Sequence, residues 1–111
     1  MAIDNIKIID GMGTNKEYDA IMLLLCDHLP WEGEKAPKVV EHLLLLQKKI
    51  NAYITFLESG KYKEKYPTLE PKMALIDIRF KYEIPDTCHQ FLQTVQEKVG
   101  ELGIKIEVHV G

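Results

Sequence analysis

The sequence has little of the chemistry that marks secreted or membrane-spanning proteins. Of its 111 residues, two are cysteine and one is tryptophan. Two cysteines are too few for a disulfide scaffold, so a reducing compartment such as the cytoplasm is expected. No unbroken apolar run approaches the roughly 20 residues that span a bilayer, and no basic region precedes an apolar stretch at the start of the chain. We therefore expect neither a membrane span nor a secretory signal.

The chain also lacks an excess of positive charge. Lysine and arginine total 14 residues against 17 aspartates and glutamates, which gives a formal net charge of −3. A nucleic-acid or anionic-membrane partner is therefore not expected, because both attract basic surfaces. Apolar residues make up 46% of the chain and charged residues 28%, which is typical of a folded protein. At this length we expect a single domain over residues 1–111.

What the sequence does contain is a succession of strand and helix patterns in the order ββαβαβ. The predicted strands cover residues 6–12, 19–27, 74–84 and 104–110, and the predicted helices cover residues 37–59 and 87–102. A turn at residues 13–17 joins the first two strands, because this segment is rich in turn-forming and polar residues. Gly60 is expected to end the first helix, and Thr87 with Gln90 has the spacing of a capping box for the second.

The alternation of apolar and polar residues predicts which faces of the sheet are covered. Strands 74–84 and 104–110 each have one charged face, so helices should cover only one side of the sheet. Strand 19–27 is apolar on both faces, which is typical of a central strand that is covered on both sides or partly covered by a partner. The expected fold class is α+β, a two-layer sandwich. It has a four-stranded, mainly antiparallel or mixed sheet with two helices on one face, and the strand order stays open.

The first helix carries two apolar stripes. At 100° per residue, one broad face of residues 39–57 is sufficient to dock on the sheet. Leu45, Ala52 and Phe56 fall nearly opposite that face. This second stripe either packs within the chain, against the second helix or the loop around Trp31, or it contacts another subunit or another protein.

Few residues are arranged for catalysis. Ser59, the only serine, lies at a helix end outside a nucleophile-elbow motif, so a capping role is expected. Cys26 and Cys88 are expected to pack in the core as small apolar residues. The histidines show no metal-ligand spacing, and neither a metal nor a cofactor is expected.

One cluster, at the end of strand 19–27, is a candidate ligand rim. Asp27 and His28 end the strand, His42 lies near the start of the next helix, and Trp31 occupies the loop between them. A carboxylate beside an imidazole can orient it for acid–base work, and tryptophan is common in pocket walls and interfaces. The alternative is structural: Asp27 binds backbone N–H groups, His28 faces solvent and Trp31 covers the edge of the core.

Three segments of the sequence are distinctive: D-H-L-x-W at residues 27–31, E-H-L-L-L-L-Q-K-K-I-N-A-Y at residues 41–53 and F-L-E-S-G at residues 56–60. They resemble a family of short uncharacterised bacterial proteins of about this length, and the resemblance covers essentially the whole chain. It implies a bacterial cytoplasmic protein. It carries no established activity and no catalytic residue.

These observations favour a non-enzymatic protein–protein interaction module. It is expected to form a homodimer or to bind another bacterial protein in an immunity- or antitoxin-like role. The predicted contact residues are Leu45, Ala52 and Phe56, with Trp31 as an anchor.

The alternative is a small-molecule-binding protein or minor enzyme that uses the ligand rim, namely Asp27, His28, Trp31 and His42. A deep concave site that joins these residues favours the alternative, whereas a protruding apolar helix face favours association.

Overall fold

The predicted order of strands and helices is confirmed. The computed structural model describes residues 8–111. Its elements are the strands β1 (Gly11–Asn15), β2 (Ala20–Asp27), β3 (Met73–Phe80) and β4 (Ile104–Val110), the helices α1 (Val39–Ser59) and α2 (Asp86–Gly100), and a short 3₁₀ helix at Lys61–Glu64. Within the described residues, none of these helices is long and apolar enough to cross a membrane.

The four strands form one mixed sheet in the order β1-β2-β3-β4. β1 runs antiparallel to β2, because a tight turn joins the two strands. β2, β3 and β4 run parallel, because α1 and α2 carry the chain back along the sheet between them. The predicted α+β fold with a four-stranded mixed sheet is therefore correct, and the structure adds the strand order.

Both helices pack on the same face of the sheet, where one apolar cluster joins all the layers. Its members include Ile21, Leu23, Leu25, Ile76 and Ile78 from the sheet and Leu46, Ile50, Tyr53, Cys88, Leu92 and Val99 from the helices. Burial of a large apolar side chain contributes on the order of 1.5–3 kcal/mol. The contact between sheet and helices is therefore the main apolar contribution to stability. Cys88 lies in this core, as predicted.

The opposite face of the sheet carries no helix within residues 8–111. Met22, Leu24 and Cys26 of β2 are half-buried there. Leu75 of β3 is fully buried, with Met22 on one neighbouring strand and Lys105 on the other in register with it. β2 is thus a central strand with two apolar faces, one fully covered and one partly covered.

The first strand lies later in the chain than predicted. The sequence predicted a strand at residues 6–12 and a turn at 13–17, whereas β1 begins at Gly11 and the turn follows Asn15. The start of the predicted strand lies outside the described residues. A Cβ atom at Gly11 would lie 3.2 Å from the Leu24 side chain. Glycine here permits the close approach of two paired strands and does not form the turn.

The helix ends agree with the prediction at one cap and differ at two. Gly60 has a left-handed conformation (φ 73°) and ends α1, as predicted. α1 begins two residues later than residue 37, because Lys38 keeps an extended backbone (ψ 145°). Pro85 is the residue that caps α2, and α2 has no side-chain cap, so the predicted capping box of Thr87 and Gln90 is not formed.

A fully buried ion pair ties α1 to the edge of β2. Lys49 Nζ lies 2.8 Å from Asp10 Oδ1, and neither side chain is exposed. Asp10 Oδ2 accepts a hydrogen bond from the Cys26 N–H at 2.8 Å, beyond the last residues that β1 pairs with β2. The Tyr53 hydroxyl donates to the Leu24 carbonyl oxygen at 2.6 Å and accepts from the Asp10 N–H at 2.9 Å. Side chains therefore bind the backbone groups of β2 beyond the point where β1 pairs with it.

Burial raises the pKa of the Tyr53 hydroxyl well above its ordinary value, so this group stays protonated and able to donate. We expect Tyr53→Phe to lower the free energy of unfolding by about 1–3 kcal/mol, because it leaves the Asp10 N–H and the Leu24 carbonyl without this partner. Urea denaturation measures the change. The control is Tyr18→Phe on an exposed ring, which should change stability by less than about 0.5 kcal/mol. Equal midpoints for the two variants would contradict the prediction.

Candidate functional site

The carboxyl ends of β2, β3 and β4 meet at one edge of the sheet, because these strands run parallel. Residues 28–38 follow β2 at this edge, and residues 81–85 follow β3. α1 and α2 begin directly after these two loops, so both helix N-termini lie at the same edge. In open α/β sheets, crevices outside the carboxyl ends of the strands are the usual ligand sites.

A buried carboxylate–imidazole pair lies beneath this edge. Asp27, the last residue of β2, places Oδ2 2.6 Å from Nε2 of His42 in the first turns of α1, and both side chains are fully buried. Asp27 Oδ1 also accepts the Leu29 N–H at 3.1 Å. The predicted pairing of Asp27 with His42 is therefore present in the structure, and so is the predicted bond from Asp27 to a loop N–H.

Trp31 covers this pair from the loop. Its ring stacks on the His42 ring with centroids 3.5 Å apart and planes 11° apart, and it contacts Phe80 at a centroid distance of 6.3 Å. Trp31 is only 6% exposed. Trp31 Nε1 and His42 Nδ1 are buried and find no hydrogen-bond partner among residues 8–111. Stacking and the Asp27 contact thus hold the two rings, and two polar nitrogens beside the edge remain unused by the described residues.

Above Trp31 lies an open cavity of about 540 Å³. Its walls are Pro30, Trp31 and Glu32 from the first loop, Val39 from α1, and Tyr82, Glu83, Ile84 and Pro85 from the second loop. The lining therefore combines apolar groups and two aromatic rings with two carboxylates. Its volume lies within the range of small-molecule pockets.

The structure brings together three of the four predicted rim residues. His42 contacts both Asp27 and Trp31, but only Trp31 lines the cavity. Asp27 and His42 lie beneath it. His28 is exposed, although it follows Asp27 directly in the chain. The predicted ligand rim is thus a buried Asp27–His42 pair covered by Trp31, and the cavity lies on the outer side of Trp31.

The predicted contact stripe of α1 lies partly covered within the chain. Leu45, Ala52 and Phe56 are half-buried, and Leu45 and Phe56 pack against the core. Val40 and Leu44 are the large apolar side chains of α1 that are exposed. No partner chain is present in the structure, so an interface at this stripe stays a prediction.

The sequence did not indicate the second wall of the cavity. Tyr82, Glu83 and Ile84 were predicted to continue a strand, because the apolar alternation runs on to residue 84. In the structure β3 ends at Phe80, and the chain turns away before Pro85. Pro85 was the available signal, since the residues that precede a proline often leave regular structure.

Neither cysteine forms an accessible nucleophile at this edge. Cys88 lies in the first turn of α2 and is fully buried. Burial, and then the negative charge of Asp27, raise the pKa of the Cys88 thiol to about 12, which leaves almost no thiolate at neutral pH. Burial also raises the pKa of Cys26, which lies on the other face of the sheet. Among the described residues, no group of three or more His, Cys, Asp or Glu side chains could hold a metal ion.

Comparison with protein families gives one result. A family of unknown function, DUF6572, matches the chain over residues 1–111. The chain belongs to this family. No curated protein and no solved structure matches it. The resemblance to an uncharacterised family that covers the whole chain is therefore confirmed, and DUF6572 membership assigns no activity.

In this DUF6572 protein, His42→Ala should lower the free energy of unfolding by about 3–5 kcal/mol, because the Asp27 carboxylate stays buried without its partner. The emission of Trp31, the only tryptophan, should also shift to longer wavelength as the ring loses its stacking partner. Urea denaturation followed by fluorescence measures both effects.

The matched control is His28→Ala, which changes an exposed histidine near the same edge and should alter stability by less than about 0.5 kcal/mol. If the two alanine variants were equally stable, the buried pair would not be an important support of this edge.

Proposed function

We propose that this protein is a non-enzymatic binding protein whose ligand occupies the cavity at the carboxyl edge of the sheet. The observation that carries the proposal is the cavity of about 540 Å³, lined by the Trp31 and Tyr82 rings and held from below by the His42–Asp27 pair. A concave apolar wall with a few polar groups is the usual form of a small-molecule site.

Binding fits this edge better than catalysis. His42, Asp27 and Cys88 are the side chains here that catalytic sites most often use, and all three are buried. His42 and Asp27 bind each other beneath Trp31, and the Cys88 thiol has a raised pKa. These groups support the shape of the cavity and do not reach into it.

Within the cell, we place the protein in the bacterial cytoplasm.

The charges around the cavity favour a ligand that carries a positive charge. Two carboxylates line the cavity, those of Glu32 and Glu83. Two more, those of Glu41 and Asp86, lie in the first turns of α1 and α2, which begin at the same edge of the sheet. Lys38 and Lys81 are exposed and adjoin lining residues in the chain, and Lys81 Nζ lies 5.5 Å from the centroid of the Tyr82 ring. The first-turn carboxylates also offset the partial positive charge of the helix N-termini. The surplus of negative charge and the aromatic rings are suited to a small organic cation with an apolar body.

Choline is a suitable probe, and 3,3-dimethylbutan-1-ol is its neutral isostere. We expect choline to change the emission of Trp31 in a saturable way and to bind more tightly than the neutral alcohol. Replacing both lining carboxylates, by Glu32→Gln with Glu83→Gln, should weaken choline binding by a few-fold to about tenfold, because each exposed charge contact contributes about 0.2–1 kcal/mol.

The control is Glu70→Gln, an exposed carboxylate in the connection before β3 and outside the cavity lining. It should leave binding unchanged. Equal responses to choline and to the neutral alcohol would contradict the charge argument. The absence of any saturable response to either probe would count against the cavity as a site for ligands of this class.

Association with another protein chain is the second candidate function. The observation that favours it is an exposed apolar pair on α1, Val40 and Leu44, of which Leu44 is 48% exposed. These residues lie one helical turn apart on the solvent side and are followed by the predicted stripe of Leu45, Ala52 and Phe56. The partner is a second copy of the chain or another bacterial protein, as in an immunity- or antitoxin-like role.

Leu44→Glu tests this surface. If α1 forms the contact, the substitution should abolish self-association in sedimentation equilibrium. It should leave the unfolding midpoint nearly unchanged, since the Leu44 side chain is half exposed. Phe56→Glu should lower stability as well, because Phe56 packs against the core. Gln93→Glu places the same charge on an exposed position of α2 and should have no effect. If the Leu44→Glu variant self-associates as well as the wild type, the protein does not use this part of α1 for association.

A further inference from the structure

Among the residues that the structure describes, β4 forms one edge of the sheet, and half of its backbone groups face away from β3. The Gly103 carbonyl accepts from Ala74 and the Gly111 N–H donates to Phe80, so the odd-numbered residues of this segment face β3. Backbone groups alternate in direction along a strand. The N–H and carbonyl groups of Ile106, Val108 and Val110 therefore point out of the sheet.

The side chain of Gln96 covers one end of this edge. Its amide nitrogen donates to the Ile104 carbonyl at 3.1 Å, and its amide oxygen accepts the Ile106 N–H at 2.7 Å. The side-chain amide from α2 thus occupies the positions that a neighbouring strand would use. The backbone from the Ile106 carbonyl to Val110 is the part of the edge that extends beyond this cover.

The uncovered part also exposes apolar side chains. Val108 is 37% exposed and Val110 is 43% exposed, both on the helix side of the sheet. Exposed edges of this kind pair readily with another strand unless charges or irregular backbone oppose it. The β4 edge has regular backbone up to Val110, and its charged side chains, Lys105 and Glu107, alternate with the apolar ones and lie on the other face of the sheet.

The order of residues in β4 is complementary to itself in an antiparallel arrangement. If Val108 lies opposite Val108 of a second copy, Glu107 lies opposite His109, and Ile106 lies opposite Val110. Directly opposed side chains that can bind each other, or that are both apolar, stabilise a sheet. Within its own sheet Glu107 stands next to Asp77, a residue of like charge, and His109 stands next to Arg79. His109 also lies 3.4 Å from Asp77 and 3.9 Å from Glu107 of its own chain.

We propose that two copies of this chain associate through their β4 edges, antiparallel about a twofold axis at Val108, to form one continuous eight-stranded sheet. The Val108 N–H of each copy donates to the Val108 carbonyl of the other, and the Val110 N–H donates to the Ile106 carbonyl. The Val110 carbonyl then faces the Ile106 N–H that Gln96 Oε1 binds in the single chain, so the Gln96 side chain moves aside where the two strands meet. The inference rests on the association named above as the second candidate function, and it adds a contact at β4 that is separate from the α1 surface.

Val108→Pro tests the pairing. Proline removes the outward-facing N–H that the dimer uses, whereas the hydrogen bonds from β4 to β3 come from the alternate residues and stay intact. We expect the association constant in sedimentation equilibrium to fall about tenfold or more, with the unfolding midpoint of the monomer retained. Val108→Thr keeps the N–H and the branched shape and should associate like the wild type.

Charge reversal provides a test that does not depend on proline. Glu107→Lys should weaken association, because it places a cation opposite His109 of the second copy. Glu107→Lys combined with His109→Glu should restore association, since a lysine and a glutamate then lie opposite each other. In the wild type, hydrogen exchange at the Val108 and Val110 amides should slow as the protein concentration rises.

The outcomes separate this inference from the association on which it rests. A wild-type chain that stays monomeric at millimolar concentration overturns both. A dimer that resists Val108→Pro and is lost with Leu44→Glu overturns the β4 contact and retains association through α1. Loss of the dimer with Val108→Pro, retention with Val108→Thr, and restoration by the double charge reversal support the β4 contact.

Discussion

Two buried polar pairs hold α1 on the sheet, and the position of the candidate site depends on them. His42 binds Asp27 at the carboxyl end of β2, and Lys49, two turns along the helix, binds Asp10 beside the same strand. Each pair must form because a charged group left alone in the interior costs several kcal/mol. The apolar contacts of α1 tolerate small shifts along the sheet, whereas two directional pairs on one helix do not. The pairs therefore define where α1 lies along β2.

The position of α1 in turn shapes the carboxyl edge. The His42 ring supplies a flat surface on which Trp31 stacks, and the loop that carries Trp31 forms one wall of the cavity. The second loop forms the other wall because β3 ends at Phe80, beside Asp27. The backbone N–H of Lys81 donates to the Asp27 carbonyl at 2.9 Å, which joins the two loops at their base. Residues that resemble a catalytic set thus act here as supports for one wall of the cavity.

Side chains complete two stretches of strand that lack a neighbouring strand among the described residues. At β2, beyond the end of β1, the Asp10 carboxylate and the Tyr53 hydroxyl satisfy backbone groups that lack a neighbouring strand. At β4, Gln96 does the same for Ile104 and Ile106. Unpaired strand edges invite pairing with other chains, and polar side chains reduce that tendency where they bind the backbone. The Gln96 contacts on β4 end at the Ile106 N–H.

The sequence by itself determined the order of the elements, the left-handed cap at Gly60 and the two apolar faces of β2, because these depend on local periodicity and on the conformational freedom of single residues. It also brought Asp27, Trp31 and His42 into one hypothesis, since they are close in the chain. Tertiary structure alone decided the parallel order of β2, β3 and β4, the burial of Lys49 and the cavity between two loops about 50 residues apart in sequence. In each of these cases the partner is distant in the chain. From its charge alone, Lys49 is expected at the surface, and it is buried because the fold places Asp10 beside it. The apolar alternation continues through Tyr82, whereas β3 ends at Phe80, opposite Asp27.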